Sequence, residues 1–418
     1  MTRLFHNIRF HDWRQFETID IPLDNQITVI TGPNGCGKTT ILNTLSRHFG
    51  WNINLVSTPF LSGRQRERIW SEFGREWLDT QHIHAPPMRE IGSIAYSTGE
   101  NSTGEKCVLC VPQDASRKPQ YALKYHGQHP VHGLNIPSHQ PAINYQRATE
   151  IPTDPKGSQR HFQEFQELLL QSYVSNRTKH PGLVLKQSLI ALAAFGHGNE
   201  FMVSNPEYSD IFNDFQEVLR RLLPPDIGFQ RLEIRMPDVV LITRSGDFSL
   251  DAMSGGVSSL FMIAWQIQLF GSNIQGPCTV VLDEPENHLH PSMQRTLLPN
   301  LAASFPEHRF IVSTHSPFIV SSDPTATVVA LTFTASRRIV SQVLDEADLS
   351  ASAGKVLREV LGVPTTVPVW VENKMRDILN RHNSEPDPVI RAERIFEDLK
   401  GIGINAALGD IKLRDTHK

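Results

Sequence analysis

The chain is short of cysteine, of long apolar runs and of basic charge, and each shortage removes a class of protein. Its 418 residues hold four cysteines, too few for a disulfide framework, so a reducing, cytoplasmic setting is expected. No stretch approaches the ~18 apolar residues of a membrane-spanning helix, so no membrane partner is expected. The opening "MTRLFHNIRFHDW" has charge but no secretory apolar core. A net charge of −4 excludes a uniformly basic coat for nucleic acid, while leaving room for a local basic surface. There is no heptad run long enough for a coiled coil and no internal repeat. What remains has an ordinary globular composition and is too long for one compact core, so two or three lobes are expected.

The organisation follows from hydrophobic period and turn residues. "NQITVIT" is a short β-branched run of buried-strand type ending at a glycine loop. The "TTILNTLSRHF" that follows has Ile41, Leu42, Leu45 and Phe49 at helical spacing. Arginine-rich text from about 64 to 77 is expected to be helical. Residues 91 to 150 alternate in short stretches and predict an antiparallel meander. A helical region from about 158 to 223 is stopped by "LPPDIGF". Strand patterns then return, and a mostly helical segment starts near 345. The expected divisions are 1–155, 156–230, 231–345 and 346–418.

Four short stretches carry chemistry. "GPNGCGKTT" fits G-x-x-x-x-G-K-[ST] between a predicted strand and a predicted helix. Gly32, Pro33, Asn34, Gly35, Cys36, Gly37, Lys38, Thr39 and Thr40 would form a phosphate cradle. In it the glycines allow the turn, backbone N–H groups face the phosphates, Lys38 reaches the β and γ oxygens and Thr39 ligates Mg²⁺. "TVVLDEPE" ends an apolar strand in two acids; Asp283 is assigned to Mg²⁺ and Glu284 to the general base. "FIVSTHSPF" places His315 just past another strand, where ligands of open α/β sheets collect. "MSGGVSSL" puts Ser254, Gly255 and Gly256 at the start of an apolar helix, a second anion site of the helix-terminus kind. Two phosphate-binding helix starts with one P-loop imply that the second serves a nucleotide held by another subunit.

In their order along the chain, "GPNGCGKTT", "MSGGVSSL", "TVVLDEPE" and "FIVSTHSPF", the four stretches resemble the ABC-type ATPase head. The resemblance implies an α/β P-loop NTPase fold: a mixed sheet with an antiparallel β lobe and an inserted helical domain. It also implies bound ATP with Mg²⁺, and a homodimer in which two heads sandwich two nucleotides. The stretch from Lys38 to Ser254 is far longer than a transporter ATPase uses, which is similar to the RecF- and SMC-related branch. "DEPENHLHP" is closer still to stand-alone ATPases related to the OLD family, several of which, of the PtuA and AriA types, serve bacterial anti-phage systems. The family's glutamine loop, which helps bind Mg²⁺ after a strand of the first lobe, would fall at Gln146. His288 or His290 would stand either at the dimer seam or as solvent-facing caps.

The function implied is an ATP-driven switch controlling a partner nuclease or other effector. A RecF-like repair ATPase that binds DNA directly and a non-hydrolysing scaffold are the alternatives. Arg64, Arg66, Arg68 and Arg75 would be the DNA-facing residues of the former, or else a solvated helix face. Cys107 and Cys110 lack the further local ligands that zinc requires and would point to opposite faces of a strand. "VPVWVENKMRDIL" starts like a strand followed by an acid, as in a nuclease TOPRIM domain, but too little chain follows to complete one. No nuclease activity is expected in this chain.

Overall fold

The computed structural model describes residues 3–61, 68–71, 88–98, 101–112, 119–153, 181–345 and 369–401, save a few single positions within them, and a few isolated residues between. It divides into two compact units, Met1–Ser350 and Ala351–Lys418.

In the first unit, β1 (Leu4–Trp13) and β2 (Phe16–Pro22) form a hairpin, and β3 (Ile27–Thr31) leads through the glycine loop into α1 (Lys38–Ser46). Short strands β4 (Leu55–Val56), β5 (Thr58–Leu61) and β6 (Arg68–Ser71) precede the long hairpin of β7 (Met88–Thr98) and β8 (Asn101–Pro112). Then come β9 (Gln120–Tyr121), β10 (Lys124–His126), β11 (Gly133–Ile136), and helices α2 (Pro181–His197) and α3 (Pro206–Leu222). A small sheet of β12 (Phe229–Arg235), β13 (Asp238–Thr243) and β14 (Phe248–Ser249) precedes α4 (Gly255–Gly271). The chain then alternates: β15 (Thr279–Asp283), α5 (Pro291–Ser304), β16 (Arg309–Thr314), α6 (Pro317–Val320), β17 (Thr327–Phe333) and β18 (Ile339–Val343).

Among the described residues, eleven strands make one mixed sheet in the order β10-β8-β7-β1-β2-β18-β17-β3-β16-β15-β11. From β17 to β11 all pairings are parallel, and from β2 to β10 all are antiparallel. The fold is α/β. Strand β3 is buried at every position, as expected of a central parallel strand covered on both faces. Its neighbours β16 and β17 come from the other end of the unit, so the sheet joins the two halves of the chain.

Helix α4 is apolar around most of its circumference because it is enclosed. Phe215 of α3 meets the rings of Phe261 and Trp265 edge-on, 5.2 Å between centroids in each case. Helix α3 starts cleanly: Asn205 accepts from the Glu207 N–H at 3.1 Å, and Pro206 occupies the first turn.

Three sequence expectations change. The 91–150 meander holds for β7, β8 and β10, but β11 leaves it and pairs parallel with β15 at the opposite edge of the sheet. Periodicity cannot show this, since a short apolar run fits either pairing. Arg68–Ser71 is a strand paired with β5 rather than part of a helix; Arg64, Arg66 and Arg75 lie outside the described residues. In the second unit, α7 (Val369–Arg381) replaces the expected strand, and it packs with α8 (Pro388–Gly401). Val371, Met375 and Ile378 recur at helical spacing and bury against Ile395 and Leu399, so helical period outweighs the β-branched start.

Candidate functional site

Strands β3, β16 and β15 are parallel neighbours in register, Thr31 beside Thr314 and Ser313 beside Asp283. Their C-terminal ends therefore lie side by side, and the three strand-end stretches of the sequence converge there. The glycine loop depends on backbone shape. Gly32 has φ 145° and Gly37 φ 89°; a Cβ would stand 2.4 Å from the Leu331 carbonyl oxygen at the first and 2.6 Å from the Phe16 ring at the second. Only glycine fits both the angle and the space.

Lys38, the first residue of α1, is buried. Its ammonium donates to the carbonyls of Gly32 (3.1 Å) and Pro33 (3.4 Å) and lies 2.7 Å from His315 Nε2. Burial pushes the lysine pKa down, with the nearby acids opposing. Burial, and then the charge on Lys38, push the His315 pKa down as well. The imidazole is thus neutral at neutral pH, and its 3.4 Å approach to Glu284 Oε1 is no ion pair there. Thr39 donates to both Asp283 oxygens at 3.2 Å. Asp283 also accepts from the Ser313 hydroxyl, and burial raises its pKa.

Glu284 has φ 46°, a left-handed backbone uncommon outside glycine and asparagine. Its N–H donates to the Ser313 carbonyl at 3.0 Å, which fixes the turn that carries its side chain. Such a conformation persists only where the surroundings hold it.

Glu286 escaped the sequence expectations. Its Oε1 accepts from the Thr314 hydroxyl and from the His315 N–H, both at 2.7 Å, so this acid sets the backbone from which His315 projects. The second glutamate of "DEPE" was its only sequence signal. Cys36 is buried, with Sγ 3.9 Å from Lys38 Nζ; burial raises its pKa and keeps the thiol protonated and inert. All four cysteines are free, and no cluster of three or more His, Cys, Asp or Glu able to hold a metal occurs among the described residues.

Ser254 and Gly255 are exposed at the start of α4. The Ser254 side chain makes no capping hydrogen bond to its own helix, although it occupies the capping position. His290 does cap α5, accepting from the Ser292 N–H at 3.3 Å. His288 is exposed with φ 69°, and its carbonyl backs onto Gly256, where a Cβ would meet it at 2.8 Å.

The strand bordering β15 ends at Ile136, and two glutamines follow it before residue 150, Gln140 and the expected Gln146. The Gln140 side-chain carbonyl accepts from Gln266 of α4 at 2.9 Å. The Gln146 backbone carbonyl accepts from Lys186 at 2.9 Å.

Two family models match: residues 203–321 fit "AAA domain, putative AbiEii toxin, Type IV TA system", and residues 7–58 fit "AAA domain". Together they take in the loop, the acid pair and the histidine. The retron Vc95 probable ATPase of Vibrio cholerae serotype O1 biovar El Tor is 30% identical over 374 residues, 76% of this chain and 71% of the relative. The chain belongs to the retron ATPase family. A second member, the retron Ec83 probable ATPase of Escherichia coli, is 22% identical over 372 residues, covering 74% of this chain and 68% of the relative. Among solved structures, the Smc head domain of Pyrococcus furiosus, crystallised with the C-terminal domain of ScpA, aligns at 13% identity. That alignment covers 86% of this chain and all of the other, with a TM-score of 0.45. No described helix is long and apolar enough to cross a membrane.

Proposed function

We propose that this member of the retron ATPase family hydrolyses ATP as a homodimeric switch that controls a partner nuclease or other effector in bacterial anti-phage defence. The observation that carries the reading is the convergence of Lys38, Thr39, Asp283, Glu284 and His315 at the C-terminal ends of three adjacent parallel strands. The retron relatives support the defence setting and the effector partner. In this reading 1–155 and 231–345 are the two lobes of the head, 156–230 is the helical insertion and 346–418 is a C-terminal appendage.

The residues fit the ligands. Lys38 is a buried cation at the end of the glycine loop, held by the Gly32 and Pro33 carbonyls and His315, where a lysine can meet phosphate oxygens. The Thr39 hydroxyl and the Asp283 carboxylate are hard oxygen donors side by side, as Mg²⁺ requires. When bound with ATP, Mg²⁺ would neutralise phosphate charge. Lys38 holds the β and γ oxygens, Glu284 takes the proton of the attacking water, and neutral His315 orients the γ-phosphate or that water by hydrogen bonding. Exposed Ser254, with a hydroxyl unused by its own helix, faces the nucleotide of a second copy.

The test is Glu284→Gln. Turnover should be lost while ATP-bound dimers accumulate, seen by phosphate release and sedimentation velocity. Normal hydrolysis by the variant would remove Glu284 as the base. A wild-type protein with no turnover even beside its effector and DNA would favour a scaffold instead, and binding to DNA ends without any partner would favour direct repair.

A further inference from the structure

Outside the phosphate site, the feature that asks most for explanation is a charge sealed inside the first unit. Lys186 of α2 has no exposed surface. Its ammonium donates to Asp251, to Asp238 at 3.0 Å and to the Gln146 carbonyl at 2.9 Å, so its three protons meet three acceptors. The ring of Tyr145 lies 4.8 Å from Nζ, a cation–π distance. The Asp251 side chain is 4% exposed and that of Asp238 25%.

A buried ion cluster is weak as a source of stability, because an apolar group could fill the same space without the loss of hydration. What it supplies is direction: each proton points at one acceptor, and misplacing any of them leaves a charge unpaired away from water. The groups gathered are telling. Tyr145 and Gln146 belong to the segment leaving β11, beside the acid-bearing strand. Asp238 opens β13. Asp251 lies in the single turn Leu250–Ala252, closed by the Met253 N–H on the Leu250 carbonyl, immediately before Ser254. On the far side of that helix start, the His288 carbonyl leaves Gly256 no room for a side chain. The turn is held from both ends.

We infer that Lys186 is a positioning residue for Ser254–Gly256: by clamping Asp251 it sets the direction in which this turn meets the phosphate loop of a second copy of the chain. The inference rests on the two-copy reading above. It accounts for an ionic contact where an apolar one would serve folding as well, and gives the helical insertion a share in closing the dimer.

The experiment uses the full chain in the Glu284→Gln background with Mg-ATP, comparing the parent with added Asp251→Asn or Lys186→Met. Asp251→Asn preserves volume and leaves Lys186 paired with Asp238, so it keeps the test valid should Lys186→Met misfold. Dimerisation is read by sedimentation velocity, nucleotide affinity by a fluorescent ATP analogue at dilutions where the protein is monomeric, and melting by calorimetry. Removing one charged hydrogen bond should weaken dimerisation about tenfold, with nucleotide affinity unchanged. Asp251→Asn dimerising as well as its parent overturns the inference alone. Nucleotide affinity and melting temperature falling in step with dimerisation also overturns it, since that marks general destabilisation. A parent that stays monomeric overturns the two-copy reading, and this inference with it.

Discussion

His48 gives the first unit a built-in sensitivity to acid. It follows α1, and its ring is packed edge-on by Phe5, Tyr96 and Tyr125 at centroid distances of 5.0, 5.9 and 5.8 Å. Nδ1 lies 3.2 Å from the Leu45 carbonyl, which can only accept, so Nδ1 carries the proton. Nε2 then accepts from the Tyr96 hydroxyl at 2.8 Å. Each nitrogen is used by the neutral ring, and a second proton would meet the tyrosine oxygen inside an aromatic cage. Burial accordingly pushes the pKa down to about 4 from 6.5. Below pH 6.5 the unfolded imidazole takes up a proton that the folded one refuses. The stabilisation is complete above that pH, erodes as pH falls, and is gone below about 4. At 1.36 kcal/mol per unit the full effect is about 3 kcal/mol. Urea unfolding of wild type and His48→Gln between pH 7.5 and pH 4 measures it. The variant starts less stable, having lost ring contacts, and the gap should close by about 3 kcal/mol as the wild type loses its advantage. Parallel stability profiles would refute the assignment of a buried neutral histidine.

The other predictions concern the site and its support. Gly37→Ala places a methyl against the Phe16 ring and strains a left-handed backbone; it should cost about 1–3 kcal/mol and remove ATP binding in titration calorimetry, and normal affinity would contradict the account of the loop. Phe215→Ala leaves a hole beside Phe261 and Trp265 and should destabilise by about 3–5 kcal/mol in denaturant titration; a loss under 1 kcal/mol, within about the range of a surface change, would mean that α4 is not anchored there. Glu286→Ala frees the His315 N–H and the Thr314 hydroxyl. Steady-state phosphate release should fall about tenfold or more with nucleotide affinity little changed, whereas unaltered turnover would separate His315 placement from Glu286.

The parts of the site legible in the sequence are those whose chemistry is written in consecutive residues. The glycine loop, the acid pair and the histidine each combine a strand with the group just beyond its end, and parallel strands bring such ends together. What escaped depends on contacts between distant segments. β11 is four residues long and carries no mark of which edge it joins. Lys186 sits in an apolar helical run, where a lone lysine looks like a solvated position; only folding places Asp238 and Asp251 against it. Glu286 matters through the backbone of His315, a partner no spacing rule supplies. The Val369 helix misled through its β-branched start, which helix–helix burial overrode.

The placement of β3 has a consequence for synthesis of the chain. Both of its hydrogen-bonding edges are closed by β16 and β17, which the ribosome makes about 280 residues later. At ~5–20 residues per second, an apolar strand with two open edges waits roughly 15–60 seconds for its neighbours. During that interval it is a template for mispairing with other chains. Yield in the cell should therefore depend on holdase chaperones and on translation speed, well before any nucleotide is bound.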